Sequence, residues 1–213
     1  MGEDKNIEPA PEGRRVPSKD TLNLVIAICA VLISAASFVA AYMQSDAAYR
    51  QVKAETWPFL QLGSGNYSLE TRESALSLKL HNAGVGPANI KSLVLSYEGK
   101  PFANFWGYAA LCCTEKGAVP TMQEYYRENK DGLVITSSGS GFILPAGEER
   151  LLFNVPKTVK NEAFWQKLDR GRWKITGKSC YCSLLGECME TDFINEPVAV
   201  KVCTPPTGPN YDG

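Results

Sequence analysis

The most prominent hydrophobic feature of the chain is the run at residues 22–43, LNLVIAICAVLISAASFVAAYM, which contains no charged residue. At a helical rise of about 1.5 Å per residue, this run extends roughly 33 Å and reaches across the hydrocarbon layer of a membrane. A long core helix of a soluble protein normally keeps one polar face. The run therefore predicts a transmembrane helix in contact with the lipid bilayer, and the polar residues 1–21 before it predict a disordered tail.

A cleaved signal peptide is the alternative interpretation of this run, because Val39-Ala40-Ala41 offers small residues before a possible cut at Tyr42. The run is longer than the apolar segment of an ordinary signal peptide, and it follows a long polar leader. Both features favour an uncleaved anchor.

Basic residues near the span predict its orientation, because the flank richer in Lys and Arg usually stays in the cytoplasm. Four basic residues precede the span, whereas only Arg50 and Lys53 follow it closely. We therefore expect the tail in the cytoplasm and everything after Tyr42 outside. Small residues four apart in the span, such as Ala30 and Ser34, form a weak pattern for helix dimerisation, and the oligomeric state stays open.

Beyond the span, the hydrophobic pattern changes from helical to strand type. Residues 44–57 are good helix formers up to the Trp57-Pro58 dipeptide, so they predict a helical stalk that continues the span. Residues 58–204 then show apolar and polar residues in alternation, first in LSLKLHN at residues 76–82. The same alternation recurs in NIKSLVLSYEGK, FILPAGEERLLFNV, RWKITGKSCYCSL and PVAVKVC.

Turns and short helices interrupt these strands. The sequences TMQEYYRENK and KNEAFWQKLDRG predict two brief helices, the second with Gly171 as its C-cap. In the turn AGVGPA, Gly84 and Gly86 can take positive φ, and Pro87 fixes the exit. About six to eight short strands with small helical insertions predict a mainly β fold, a β-sandwich. Residues 205–213 are expected to be a disordered tail.

Three motifs carry a resemblance to a known family: LHNAGVGPANIKSLVL, LPAGEE, and CYC with a further cysteine after five residues. Over most of residues 55–204 the chain resembles a family of bacterial single-pass membrane proteins that have a small extracytoplasmic domain. The turn N-x-G-x-G-P-A is also similar to turns in immunoglobulin-like β-sandwich modules. The resemblance implies an immunoglobulin-like domain in the periplasm, anchored in the bacterial inner membrane, and it brings no activity to carry over.

Six cysteines lie outside the span, and an even number in an exported domain favours disulfides. A turn at Leu185-Gly186 would bring Cys182 and Cys188 together and close a small loop. Cys203, at the end of the last strand, would then meet Cys180. The adjacent pair would form a strained ring if bonded to each other, so we expect those two to share partners with the later cluster. The sequence leaves all pairings formally open among these candidates: Cys112, Cys113, Cys180, Cys182, Cys188 and Cys203.

Other chemistry finds less support in the sequence. Zinc sites usually use two C-x2-C knuckles, and thioredoxin-like redox centres use one such C-x-x-C pair at the start of a helix. No two cysteines in the chain have this spacing. The single histidine, His81, lies on the polar face of a predicted strand, where a solvated residue is the simpler interpretation than a catalytic base. We therefore assign no catalytic residue, metal or cofactor. An exported thiol- or metal-dependent enzyme remains an alternative.

The charge and the aromatic content of the chain narrow the class of partner that we expect. Residues 1–21 carry five of the 23 acidic and four of the 22 basic side chains, so the remainder is balanced and gives no reason to expect nucleic acid. Aromatic residues in the insertion between strands suggest an interaction surface, with core packing as the alternative. We predict a non-enzymatic binding or accessory module with a protein partner, or alternatively a single-pass sensor. The suggested surface comprises Phe105, Trp106, Tyr108, Tyr125 and Tyr126.

Overall fold

The computed structural model describes residues 18–69, 71–113, 122–128, 130 and 132–213. The chain divides into two compact units, Met1–Arg50 and Gln51–Gly213.

A single helix, α1 (Lys19–Glu55), contains the predicted span and nearly all of the predicted stalk. It is long and apolar enough to cross a membrane, with a mean hydropathy of 2.7 in its most apolar window. The helix begins before Leu22, so the last residues of the predicted disordered tail are helical. The rest of that tail, residues 1–17, lies outside the described residues.

The second unit contains ten strands and three further α-helices among the described residues. The helices are α2 (Phe105–Cys113), α3 (Met122–Glu128) and α4 (Glu162–Gly171), and α4 leads directly into a short 3-10 helix, Arg172–Lys174. The strands, in chain order, are β1 (Leu60–Gly65), β2 (Ala75–Asn82), β3 (Ala88–Tyr97), β4 (Lys100–Phe102), β5 (Ile135–Thr136), β6 (Phe142–Leu144), β7 (Glu149–Pro156), β8 (Ile175–Cys182), β9 (Cys188–Thr191) and β10 (Val198–Val200).

These strands form two antiparallel sheets. The first has the order β1-β2-β7-β5, and the second has the order β10-β9-β8-β3-β4, with β6 also paired to β3. Alternation along β2 is as predicted, since Leu76, Leu78 and Leu80 are buried. Because one hydrophobic cluster draws side chains from both sheets and from α2 and α4, the fold is mixed α/β rather than mainly β.

In the turn after β2, neither Gly84 nor Gly86 uses the positive φ that is open to glycine. A Cβ atom on Gly84 would lie 2.4 Å from the backbone nitrogen of Phe59, and one on Gly86 would lie 2.1 Å from the carbonyl oxygen of Thr56. These glycines are therefore needed because the chain entering β1 passes directly against the turn.

Gly171 also has a different role from the one expected. Its φ of −68° is helical, and the helix continues past it into the 3-10 turn. A Cβ atom there would lie 2.9 Å from the Tyr108 hydroxyl oxygen and 3.2 Å from the Cys112 Cβ. Gly171 thus permits α4 to approach α2 closely, and it does not terminate the helix with a left-handed residue.

The last six residues of the chain are packed against the domain, which corrects the expectation of a disordered tail at residues 205–213. Tyr211 is fully buried, its backbone N–H donates to the Leu93 carbonyl, and its own carbonyl accepts from the Gly139 N–H. The Asn210 side-chain oxygen accepts from the Leu93 N–H. The C-terminal segment is therefore hydrogen-bonded to β3 at Leu93. This point lies between the part of β3 that pairs with β6 and the part that pairs with β4.

Candidate functional site

The six cysteines outside α1 form three disulfides. Cys180 is bonded to Cys203 and Cys182 to Cys188, the pairing that the turn at Leu185-Gly186 favoured. The Cys182 and Cys188 positions are directly opposite each other in the β8–β9 hairpin.

The third disulfide joins the neighbours Cys112 and Cys113, and it corrects the expectation that they pair with the later cluster. They lie at the end of α2, beside Gly171 at the end of α4. Cys180 follows Lys174 by six positions along an extended strand, which corresponds to roughly 20 Å. The packing of α2 on α4 therefore holds the two cysteines at the opposite end of β8 from the other four.

Sulfur atoms of the two β8 disulfides lie close together. The Cys182 and Cys203 sulfurs are 3.8 Å apart, and with Cys188 they form a group within 4.8 Å. Metal ions in proteins bind the thiolate form of cysteine, and these sulfurs are engaged in disulfides. The group consequently acts as a pair of covalent links in the oxidised domain.

A cleft lies on the face of the second sheet that points away from the core. Its floor is a row of residues directly opposite one another on β3, β8, β9 and β10: Ser92, Cys180, Glu190 and Val198. Residues opposite each other in an antiparallel sheet present their side chains on the same face. The cleft has a volume of about 590 Å³, within the range of binding sites for small molecules or short segments.

Two loop segments wall this outer-face cleft. One connects β9 to β10 and contributes Asn195 and Glu196, and the other follows β10 and contributes residues 204–207 with Pro205 and Pro206. The Cys180–Cys203 disulfide links the floor to the start of the second wall. A covalent bond and two prolines therefore restrict the conformational freedom of that wall.

Charged groups in the outer-face cleft are mainly acidic: three carboxylates accompany a single lysine, Lys178. Asp192 accepts hydrogen bonds from the backbone N–H groups of Asn195 and Ile194 and from the Asn195 side chain. These bonds, led by the Asn195 N–H, lower the pKa of Asp192 to about 2. The cleft therefore keeps a fixed negative charge. The other carboxylates belong to Glu190 and Glu196.

The aromatic residues expected to form an interaction surface belong to the core instead. Phe105 and Tyr108 are fully buried and Tyr125 is 2% exposed, while Trp106 and Tyr126 pack partly buried against them. The Tyr108 hydroxyl donates to the Leu168 carbonyl at 2.7 Å, and burial raises the pKa of Tyr108. Core packing, the alternative interpretation, describes these side chains.

His81 is half-buried on β2, opposite Gln61 of β1 and Glu149 of β7. It belongs to the first sheet, whereas the outer-face cleft lies on the second. Apart from Cys180, the cleft residues escaped the sequence analysis because they carry no motif. The alternation in RWKITGKSCYCSL was the one available signal, since it predicted the strand that carries Lys178 and Cys180.

Comparison with known proteins yields no relative. The chain matches no protein-family model, no curated protein and no solved structure. Its function therefore has to be inferred from its own geometry, and the family resemblance stays a prediction.

Proposed function

We propose that the chain is a single-pass membrane protein whose second unit lies outside the cytoplasm and binds another protein through the outer-face cleft, without catalysing a reaction. The observation that carries this proposal is the construction of the cleft, whose wall is covalently joined to its floor by Cys180–Cys203. A site fixed before binding loses less conformational freedom when a partner enters.

The chemistry of the cleft favours an extended segment with basic side chains. Glu190, Asp192 and Glu196 outnumber Lys178, so the site attracts positive charge. Val198 and the two prolines offer apolar surface between these charges. A segment that alternates basic and apolar residues satisfies both features.

The proposed location is the bacterial inner membrane, with α1 as the anchor and the N-terminus in the cytoplasm. The length and apolar character of α1 and three disulfides in the second unit support this arrangement, since disulfides persist in oxidising compartments. We also propose that the two sheets form an immunoglobulin-like sandwich, supported by their antiparallel pairing and shared core. A reporter enzyme that is active only outside the cytoplasm, fused after Gly213, tests the location, and an inactive fusion contradicts it.

The binding proposal is tested by a photo-crosslinking amino acid placed at Glu196 on the rim of the cleft in living cells. The matched control position is Val159, which is 95% exposed and lies outside the cleft. We expect a discrete protein adduct from position 196 that disappears when Glu190→Lys reverses a charge on the floor. Identical adducts from positions 196 and 159, or an adduct unaffected by Glu190→Lys, would contradict the proposal.

A further inference from the structure

A second, smaller cavity lies where the end of α2 meets the end of α4. It has a volume of about 270 Å³, and both sulfur-bearing residues of the Cys112–Cys113 disulfide line it. This volume is near the lower limit for small-molecule sites, roughly 300 Å³. Among the described residues it shares no lining residue with the outer-face cleft, so it is a separate place on the domain.

Three cationic side chains surround this disulfide cavity. Lys167, Arg170 and Lys174 are spaced i, i+3 and i+7 along α4 and the 3-10 helix that continues it, so they share one face. Lys174 is paired with Glu98 at 2.6 Å, whereas Lys167 and Arg170 form no salt bridge with a described residue. No carboxylate belongs to the described lining, so the described side chains of the cavity carry net positive charge.

The Cys112–Cys113 disulfide differs from the other two in exposure. Both of its residues are half-buried beside the cavity, whereas each of the other two bonds has at least one buried cysteine: Cys182–Cys188 is buried at both ends, and Cys180–Cys203 joins a buried Cys180 to a half-buried Cys203. It also differs in the chain it closes, because a bond between neighbours encloses no loop and constrains little of the unfolded chain. Its formation is thus poorly explained by stabilisation, and its accessibility permits reaction.

We propose that Cys112–Cys113 is an exchangeable disulfide that reacts with a small thiol carrying a carboxylate. The thiolate of that compound attacks one of the two cysteine sulfurs, so that a mixed disulfide forms and the Cys112–Cys113 bond breaks. The electron pair of the broken bond leaves on the other cysteine sulfur as a thiolate.

A second molecule of the small thiol completes the exchange. Its thiolate attacks the small-molecule sulfur of the mixed disulfide, which releases a symmetrical disulfide and a second cysteine thiolate. Two protons from water convert both thiolates to thiols. The small thiol is oxidised by two electrons, and the protein disulfide is reduced by the same two.

The cationic face assists this reaction in two ways. Lys167 and Arg170 attract the carboxylate of the incoming compound and raise its concentration near the sulfurs. The same charges stabilise the cysteine thiolate that leaves, as neighbouring Lys and Arg do for reactive cysteines in general. Selectivity for anionic thiols is therefore the property that distinguishes this site from any exposed disulfide.

The test compares three thiols on the full-length protein in detergent micelles at low ionic strength: 3-mercaptopropionate, 2-mercaptoethanol and cysteamine, which are anionic, neutral and cationic outside the thiol. Alkylation at timed intervals followed by peptide mass spectrometry gives the rate at Cys112 and Cys113, expressed per thiolate. We expect 3-mercaptopropionate to exceed cysteamine about tenfold, and Lys167→Gln and Arg170→Gln each to lower this advantage about threefold. The control Lys91→Gln, which removes an exposed charge on β3 outside the cavity, leaves the rates unchanged.

Two results would overturn the proposal: equal rates per thiolate for all three compounds, or reduction of Cys180–Cys203 before Cys112–Cys113. Near-ultraviolet circular dichroism verifies that each variant is folded. In 0.5 M salt the Debye length shortens to about 4 Å, so the charge selectivity must diminish. The variant Glu190→Lys in the outer-face cleft leaves these rates unaltered. Failure of the exchange proposal is thereby distinguished from failure of the binding proposal.

Discussion

Asn82 fixes the turn at which the chain enters the two-sheet domain. Its side chain is fully buried, and its oxygen accepts from the backbone N–H groups of Phe59 and Gly84. Its amide nitrogen donates toward the carbonyls of Gly86, Leu144 and Pro145. One side chain therefore satisfies backbone groups of its own turn and of two segments that are remote in sequence.

The substitution Asn82→Ala is expected to lower the free energy of unfolding by about 3 kcal/mol, because several buried backbone groups lose their partners at once. Urea titration of the full-length protein, followed by tryptophan fluorescence, measures this change. Asn89→Ala on β3 is the matched control, since that half-buried side chain forms no hydrogen bond with a described residue. A loss below about 1 kcal/mol for Asn82→Ala would show that the turn is held by other contacts.

Among the described tyrosines, Tyr108 and Tyr211 are kept in the protonated form most strongly by folding. Burial raises the pKa of both above the ordinary value near 10. The folded state therefore retains protons that the unfolded state releases, so stability is intact below about pH 10 and falls as the pH rises further. Tyrosinate absorbance is expected to show these two groups ionising only as the protein unfolds.

Tyr108→Phe and Tyr211→Phe are each expected to remove one late-ionising group from this titration. Simultaneous ionisation of all nine tyrosines near pH 10 in folded protein would contradict the burial of these two hydroxyls.

At the scale of elements, the sequence predicted the helices and strands that show a clear local periodicity of apolar residues. The alternation in β2 and the amphipathic pattern of α4 indicated both elements, because each buries one face against a single core. α2 was missed because FWGYAALCC is apolar on every side and has no helical periodicity. Residues 208–213 were missed for a different reason: their partners, such as the backbone of Leu93, lie more than a hundred positions earlier.

Tyr211→Ala is expected to destabilise the protein by about 4 kcal/mol, because a fully buried aromatic ring is removed from the core. Tyr211→Phe keeps the ring and loses only the hydrogen bond to the Leu152 carbonyl, which corresponds to about 1 kcal/mol. Thermal unfolding monitored by near-ultraviolet circular dichroism measures both changes. Asp212→Ala alters an exposed neighbour and serves as the control, and equal effects of Tyr211→Ala and Asp212→Ala would refute the packed tail.

At the scale of the whole molecule, the cysteine pattern predicted two disulfides and misassigned the third. Cys182 and Cys188 are separated by a short turn, and local geometry was sufficient to pair them. The partner of Cys112 depends on how α2 packs against α4, which no local pattern contains. The outer-face cleft was likewise invisible, because its floor joins residues from four strands.

The three disulfides are expected to stabilise the domain in the order of the chain they enclose. Cys180–Cys203 spans 23 positions and Cys182–Cys188 spans 6, which correspond to about 3 and about 2 kcal/mol of lost unfolded-state entropy. Replacing both partners of each bond by alanine and measuring urea unfolding tests the order. The vicinal pair should have the smallest effect, under about 1 kcal/mol, and a larger loss there than at Cys180–Cys203 would contradict the ranking.

The same sulfurs report the compartment in which the whole chain folds. Of the seven cysteines, only Cys29 is free, so protein purified without reductant and then denatured should take up one maleimide per chain, and seven after reduction. On the proposed topology, a chain lacking residues 22–43 is not exported and stays in the reducing cytoplasm, so its six remaining cysteines should all be labelled without reductant. Mass spectrometry counts the labels. Complete labelling of the full-length protein before reduction would show that the domain folds without disulfides, and the extracytoplasmic location would then be untenable.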